Sequence, residues 1–269
     1  MAWTRFAGTL IDRYDVTASI FRADFEISTD ANGHEYAALP VGDESVGLYF
    51  ARGGALLDTQ ASTASSAHGG WETVEDERST GRRNLTVRAF DPSTAVMSID
   101  VAHHASGVAM DWFESAHSGW QVLMAGARSW YRPPRDNSAA APERQFLIAD
   151  LAGLPALARI LENTAPNIDV TAVIEVPTPG DVRYLPEHPR LELLELIGSG
   201  NGIAESLLSE TVSLNLGTNN IDAYYWVAAE TTQTRMIRKY LKQIGVANNQ
   251  YAAVGYWTDT TNWGRSLPI

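Results

Sequence analysis

Short runs in which apolar and polar residues alternate characterise the first half of the chain. Met97, Ile99 and Val101 alternate with Ser98 and Asp100, and a period of two residues is typical of a strand with one buried face. Further runs of strand character lie at 17–27, 46–50 and 120–124. Several short strands joined by Gly- and Asp-containing turns predict a closed barrel or a sandwich.

The pattern changes in the second half, where apolar runs alternate with amphipathic segments. Strands are predicted at 146–150, 170–176, 191–197 and 223–229, and helices after Gly153, at 203–210 and at 231–244. Pro155 suits the first turn of a helix, because its missing N–H would be unpaired there anyway. Strands that alternate with helices predict an α/β domain with a mainly parallel sheet.

A proline-rich segment separates the two patterns. Residues 133–142 hold three prolines among small polar residues, a composition that resists burial and is typical of a linker. We therefore predict an antiparallel β-domain over 1–132, a linker over 133–144 and an α/β domain over 145–269. A second long loop is predicted at 61–81, which is rich in Ser, Thr, Gly and charge.

Composition narrows the classes of function. The 269 residues carry a net charge of −12 and no cysteine. The charge disfavours nucleic acid and anionic membranes as partners, and the absence of cysteine excludes disulfides, thiol nucleophiles and cysteine-ligated iron–sulfur clusters. The six histidines show no metal-binding spacing. Without a signal peptide or a spanning apolar stretch, we expect a cytoplasmic monomer with no membrane insertion.

One hexapeptide at the start of a predicted strand suggests a phosphate-bearing cofactor. The hexapeptide consists of Arg83, Asn84, Leu85, Thr86, Val87 and Arg88. Arg83 is followed by a hydroxyl residue, Thr86, three positions later and by a second arginine, Arg88, two positions after that. Guanidinium groups match pyrophosphate oxygens bidentately. The alternative is that the arginines solvate the end of the strand.

A second segment combines a glycine turn with the start of a helix. His104, Gly107, Val108, Ala109, Met110 and Trp112 lie in it, and Val108, Trp112 and Phe113 share one helical face. The free N–H groups of a helix N-terminus attract phosphate, so Gly107, Val108 and Ala109 are candidate phosphate-binding residues. The alternative is a plain helix start that places Trp112 in the core.

These motifs resemble the siderophore-interacting protein family, FAD-dependent ferric-siderophore reductases of the ferredoxin-reductase superfamily. The resemblance extends over nearly the whole chain and includes the segments 147–150, 154–162 and 255–257. It implies an N-terminal flavin-binding β-barrel and a C-terminal NAD(P)H-binding-like domain. It also implies FAD as cofactor, a ferric siderophore as substrate, and NAD(P)H or a ferredoxin-like protein as electron donor.

The resemblance further implies roles for individual residues. Arg83 would hold the FAD pyrophosphate, and the Thr86 hydroxyl would reach the reactive flavin nitrogen as the catalytic group. Asn84, Leu85 and Arg88 would complete this flavin site, with the His104–Trp112 segment at the phosphates. The residues that would contact the nucleotide or substrate are Asp150, Glu230, Arg235, Arg238, Lys239, Trp257 and Arg265.

Several positions depart from the family pattern. Leu85 replaces the usual aromatic, and Met110 a small hydroxyl residue. The family has Gly-Asp-Glu-Ser/Thr where this chain has Ala149, Asp150, Leu151 and Ala152, which weakens the prediction of a nicotinamide nucleotide. Ala229 replaces a glycine before Glu230, and 258–260 lack the usual basic residue. The basic run on the 231–244 helix could hold an anion or be a solvated face.

The leading hypothesis is an FAD-dependent enzyme that releases iron by reducing Fe(III) to Fe(II) in a ferric siderophore. Two alternatives stay open. The chain could bind a flavin or a siderophore without turnover, because its departures from the pattern fall on cofactor loops. It could also be a flavin reductase with another acceptor.

Overall fold

Two units of different architecture make up the chain, Met1–Ser129 and Trp130–Ile269. The computed structural model describes residues 5–30, 32–40, 42–50, 81–104, 107–132, 144–198, 202–208 and 223–259. The division at Ser129 falls close to the predicted domain end at 132. Most of the predicted linker and of the 61–81 loop lies outside the described residues, while Arg144 and Gly81 each open a strand.

The first unit is a closed barrel of six antiparallel strands. Around the barrel their order is β1-β2-β5-β4-β3-β6, so the predicted antiparallel barrel is confirmed. The strands are β1 Arg5–Asp15, β2 Ile20–Ile27, β3 Ser45–Phe50, β4 Gly81–Asp91, β5 Val96–Ala102 and β6 Gln121–Arg128. The strand β1 was not anticipated, because its second half carries exposed apolar residues that blur the alternation.

Aromatic side chains fill the barrel and are covered by the helix α1, Val108–Ser115. Phe113 packs against Phe21 at 5.0 Å and against Phe50 at 5.5 Å between ring centroids. Trp112 is buried beside Trp120, with ring centroids 5.9 Å apart. The helical face predicted from the sequence therefore packs onto the core, and this packing fixes where α1 begins.

The second unit is a five-stranded parallel sheet of order β11-β10-β7-β8-β9, which confirms the predicted mainly parallel sheet. Its strands are β7 Arg144–Asp150, β8 Asp169–Val176, β9 Leu191–Ile197, β10 Ala223–Glu230 and β11 Tyr251–Trp257. Its helices are α2 Leu154–Asn163, α3 Pro179–Val182, α4 Ile203–Leu208 and α5 Thr231–Gln243.

The interior strand β10, between β11 and β7, explains the strong apolar signal of the second half. All of its residues are buried, as expected of a parallel strand covered on both faces. The helix α2 is also buried around most of its circumference, beyond the predicted stripe of Leu157, Ile160 and Leu161. Among the helices in the described ranges, none is long and apolar enough to cross a membrane.

Gly153 allows α2 to begin directly against the sheet. A methyl group here would overlap the carbonyl oxygen of Ala228 and approach the Cβ of Ala149 to 3.1 Å. We expect Gly153→Ala to destabilise the second unit by about 1–3 kcal/mol, the usual cost of overpacking a buried site. Urea unfolding measures this change. Gly180→Ala is the control, because its new Cβ would lie 3.4 Å from the Thr178 hydroxyl; equal losses in both variants would contradict the packing argument.

Candidate functional site

Strand alternation divides the predicted cofactor motif of β4 between two faces. Val87 lies in the barrel core and Leu85 packs against it, so Arg83 is on that same side of the strand. Thr86 and Arg88 are on the outer side. The pairing of β4 with β3 runs from Gly81 to Thr86, and its pairing with β5 begins at Val87. In the described part of the barrel, the first half of β4 therefore has a single strand neighbour and one unpaired edge.

Arg83 and the N-terminus of α1 are close to one another. The Arg83 guanidinium is exposed and donates to the carbonyl of Arg82 at 2.9 Å. Gly81, two residues earlier, packs so tightly on Val108 that any Cβ would overlap its side chain. The structure thus brings together an exposed arginine and the helix start that the sequence analysis had treated as separate phosphate-binding candidates.

The helix α1 begins after a glycine. Gly107 precedes the helix with φ 138° and ψ 157° and has no side chain that could cap the first N–H groups. This φ lies in the region that favours glycine. His104 is nearby, with its Cε1 3.5 Å from the position that a Cβ on Gly107 would take. Uncapped N–H groups at a helix start are suited to an anion.

Other residues of the predicted flavin site make contacts within the barrel. Met110 and Trp112 are 3% and 4% exposed and belong to the core, as the alternative interpretation of this segment expected. Asn84 is exposed and accepts from Arg82 at 3.2 Å. Thr86 is buried and pairs in register with Ser45 on β3.

Arg88 takes part in an ion network on the outer face of the barrel. Its Nε lies 3.9 Å from the buried carboxylate of Asp100. Arg22 binds the same carboxylate through two hydrogen bonds of 2.7 and 2.9 Å. A network of this kind holds β2, β4 and β5 together, so Arg88 has a structural role whether or not it also contacts a cofactor.

Buried acids before β3 were missed by the sequence analysis. Glu44 accepts from the Tyr36 hydroxyl at 2.5 Å and from the Leu39 N–H at 2.8 Å. Asp43 accepts from the Ser129 hydroxyl at 2.5 Å. Both acids are fully buried. Two adjacent carboxylates directly before an apolar strand were the available signal, and they anchor the loop that leads into β3.

In the second unit, three predicted site residues meet at the carboxyl end of the sheet. Asp150, Glu230 and Trp257 are the last residues of β7, β10 and β11, which are neighbours in the sheet. The carboxyl ends of parallel strands form the usual ligand-binding edge of such a sheet. The structure therefore brings these three residues together, as their shared assignment to one site requires.

The buried Asp150 carboxylate joins these strand ends. One oxygen accepts from the indole Nε1–H of Trp257 at 2.7 Å and from the Glu230 N–H at 2.8 Å. The other accepts from the N–H groups of Ala152 and Gly153 at 3.0 and 3.3 Å. Burial raises the pKa of Asp150 to about 6, although these four hydrogen bonds each lower it. Half of the Trp257 surface stays exposed beside it.

Carboxylates also bind backbone N–H groups at this edge. Glu230 caps α5 by accepting from the N–H groups of Thr232 and Gln233 at 2.5 and 3.1 Å. Asp150 accepts from the N–H groups of Ala152 and Gly153, which lie in the turn before α2. N–H groups that already bind a carboxylate are not available to a phosphate. The start of α5 therefore does not offer the phosphate cradle of a dinucleotide site.

The basic residues of α5 lie apart from this edge. Arg235, Arg238, Lys239 and Lys242 line an open hollow of about 480 Å³ on the exposed side of the helix. At 1.5 Å per residue, Arg235 is about 6 Å and Lys242 about 16 Å from the start of α5. Arg238 also donates to the carbonyl of Ala253. Only Arg235 is near the strand ends, and Arg265 lies outside the described residues.

The comparisons with known proteins match this architecture. The family model described as "Siderophore-interacting FAD-binding domain" matches residues 10–130, and the one described as "Siderophore-interacting protein" matches residues 142–260. The chain belongs to the siderophore-interacting protein family. In the described part of the chain, no group of three or more His, Asp or Glu residues could hold a metal ion.

Individual relatives agree with the family. Ferric acinetobactin reductase from Acinetobacter baumannii is 27% identical over 179 residues, 66% of this chain and 60% of that protein. A mycobactin import ATP-binding/permease protein from Mycolicibacterium thermoresistibile is 28% identical over 192 residues, 69% of this chain and 20% of that protein. The chain thus spans less than two thirds of either relative. The solved siderophore-interacting protein from Acinetobacter baumannii has a TM-score of 0.74 at 21% identity, covering 97% of this chain and 92% of that one.

The raised pKa of Asp150 predicts a pH-dependent stability of the second unit. The folded value of about 6 is above the ordinary 3.8, so the folded state holds the proton more tightly. The stability contributed by Asp150 is present below pH 4 and is lost as the pH rises through 6. The loss is roughly 3 kcal/mol at 1.36 kcal/mol per pKa unit.

Urea unfolding of the wild type and of Asp150→Asn across this pH range tests the prediction. Asparagine does not titrate, so the free-energy difference between the two proteins should fall by that amount between pH 4 and pH 7. Two parallel stability curves would show that Asp150 does not titrate in this range.

Proposed function

We propose that this chain is an FAD-dependent ferric-siderophore reductase that releases iron by reducing Fe(III) to Fe(II). The observation that carries the proposal is the start of α1 at Gly107, which has no side chain to serve as a cap, packed against the part of β4 that carries the exposed Arg83. This is a site for the pyrophosphate of FAD in the unit whose family model is a siderophore-interacting FAD-binding domain. The ferric acinetobactin reductase relative supports the reaction.

The residues of the barrel fit the cofactor. Arg83 would bind the pyrophosphate with the N–H groups of Gly107, Val108 and Ala109, since guanidinium and a helix N-terminus both favour anions. The Thr86 hydroxyl, on the outer face of β4, would contact the flavin ring. The first half of β4 has one edge without a strand neighbour in the described part of the barrel, and an extended cofactor lying along this edge would reach both groups.

FAD, when bound, takes up two electrons from its donor and passes them singly to ferric iron. The ferrous ion carries less charge and is softer, so it is held less tightly by the hard oxygen ligands of a siderophore. The side chains of this chain need only position the cofactor, bind the chelate and keep the donor within reach. We place Asp150, Glu230 and Trp257 on the donor or substrate side of the reaction, in the second unit.

We expect the purified protein to be yellow, or to become yellow with added FAD, and Arg83→Ala to weaken FAD binding at least tenfold. A charge-assisted hydrogen bond is worth on the order of 1.5–3 kcal/mol, and Arg83 would make one or two of them. Titration of the FAD-free protein, followed by absorbance and flavin fluorescence, gives the dissociation constants.

Arg190→Ala is the control for this titration, because Arg190 is an exposed arginine of the second unit paired with Asp169 at 3.0 Å. Arg82→Ala tests the assignment within the motif. Arg82 lies over the Tyr49 ring at 5.5 Å, away from α1. If Arg82→Ala weakened FAD binding and Arg83→Ala did not, the pyrophosphate would be bound by Arg82, and the assignment to Arg83 would be wrong.

We expect slow reduction of the bound flavin by both NADH and NADPH, because Glu230 occupies the N-terminus of α5 and Asp150 binds the N–H groups of the turn before α2, where nucleotide phosphates would bind. If one nucleotide works better, Arg235 favours NADPH, whose extra phosphate adds about two negative charges. One such contact is worth on the order of 1.5–3 kcal/mol, which gives a preference of tenfold or more. Stopped-flow absorbance measures both rates.

Arg235→Ala should abolish any preference for NADPH, whereas Lys242→Ala, at the far end of the same helix, should not. Rapid reduction by NADH that is unchanged in both variants would contradict the argument from the capped helices. If neither nucleotide reduces the flavin, either the donor is a protein such as ferredoxin or the chain has no redox role.

The capped helices also favour a second candidate function. A relative that binds a flavin or a siderophore without turnover would keep the fold and need no site for a nucleotide. A protein that takes up no FAD in the titration cannot be the reductase, and a protein that binds FAD without turnover would not reoxidise its reduced flavin when a ferric siderophore is added.

A further inference from the structure

A row of three polar residues crosses the outer face of the barrel on three neighbouring strands. In the register of the sheet, Ser45 on β3 lies opposite Arg128 on β6 and opposite Thr86 on β4. Val46 and Leu48, on the same strand, belong to the barrel core. Since side chains alternate along a strand, Ser45 points away from that core.

The Ser45 hydroxyl is buried without a hydrogen-bond partner. The residue is 5% exposed, and its Oγ finds no partner among the described residues. Burying an unpaired hydroxyl costs free energy, so such groups are rare in folded proteins and need an explanation. Ser98, on the outer side of β5, shows the ordinary arrangement, since its hydroxyl donates to Asp24 at 2.6 Å.

We propose that Ser45 is a second hydrogen-bonding residue for the flavin ring, beside Thr86. The inference rests on the proposed function, which places the ring at Thr86. Residues directly opposite on antiparallel strands have Cβ atoms about 4.5–5.5 Å apart, so one flat ligand can reach both hydroxyls. A hydroxyl donates and accepts, and the polar edge of a flavin ring offers both kinds of atom.

Ser45 would also tune the cofactor. A hydrogen bond donated to the ring stabilises the reduced flavin, which carries more electron density on its polar edge. The positive charge of Arg128, next in the row, acts in the same direction. This chain has Leu85, which packs against the core, where the family has an aromatic residue. Because no aromatic side chain stacks on the flavin ring at this position, the hydroxyls of Ser45 and Thr86 contribute more to holding the ring.

The test is Ser45→Ala, for which binding and stability should change in opposite directions. FAD affinity should fall roughly tenfold, because the ring loses one hydrogen bond, and the midpoint potential of the bound flavin should become more negative. The FAD-free protein should become more stable, with Tm higher by roughly 2–4 °C, because an unpaired buried hydroxyl has been removed. Titration, dye-equilibrated potentiometry and thermal unfolding of the full chain measure the three quantities.

Ser98→Ala is the matched control, which should lower the Tm of the FAD-free protein and leave FAD affinity unchanged. In the double variant Ser45→Ala with Thr86→Ala, the loss of FAD affinity should be smaller than the sum of the losses in the two single variants, because both hydroxyls would bind the same flavin ring. If the FAD-free Ser45→Ala variant is less stable than the wild type, Ser45 has a structural role and the inference is overturned. If the wild type binds FAD, an unchanged FAD affinity and midpoint potential in Ser45→Ala would also overturn it. A wild type that binds no FAD would instead overturn the proposed function.

Discussion

The second unit depends on one buried carboxylate. Asp150 ends β7 and accepts hydrogen bonds from the turn into α2, from the backbone of β10 and from the Trp257 indole at the end of β11. Three strand ends and one helix start are thereby fixed to a single side chain. Loss of a partner in such a network leaves a buried charge unsatisfied, which is far more costly than the net value of any one hydrogen bond.

The same network determines where anions can bind. A helix N-terminus attracts either a carboxylate from its own chain or a phosphate from a ligand, and the first excludes the second. At α5 the protein supplies the carboxylate of Glu230, and in the turn before α2 it supplies that of Asp150. The helix α1 follows Gly107, which has no side chain to serve as a cap. The structure thus separates a unit suited to a phosphate-bearing cofactor from one whose sheet edge already carries bound carboxylates.

The sequence predicted both sheets, because Met97–Val101 alternates cleanly and the buried β10 is apolar throughout. It predicted the shared position of Asp150, Glu230 and Trp257 through the family motifs, but not their hydrogen bonds, which depend on strand register. The basic residues of α5 were predicted to lie in the same site as Asp150, Glu230 and Trp257. Helical periodicity shows that these basic residues share one face of the helix, but it does not show how far along the helix axis each lies from the strand ends. Ser45 could not be found, since an unpaired hydroxyl is visible only once its neighbours are known.

The departures from the family pattern in the second unit are explained by packing. Ala149 and Ala228 lie against Gly153, where even one added methyl group would overlap a backbone carbonyl. Small residues at the ends of β7 and β10 let α2 begin close to the sheet, and this short approach brings the N–H groups of Ala152 and Gly153 within reach of Asp150. The loops that differ from a nucleotide-binding pattern are therefore well packed and hydrogen-bonded. A chain that had merely lost a site would be expected to leave cavities or unpaired groups at these loops, whereas Asp150 and Glu230 are both hydrogen-bonded there.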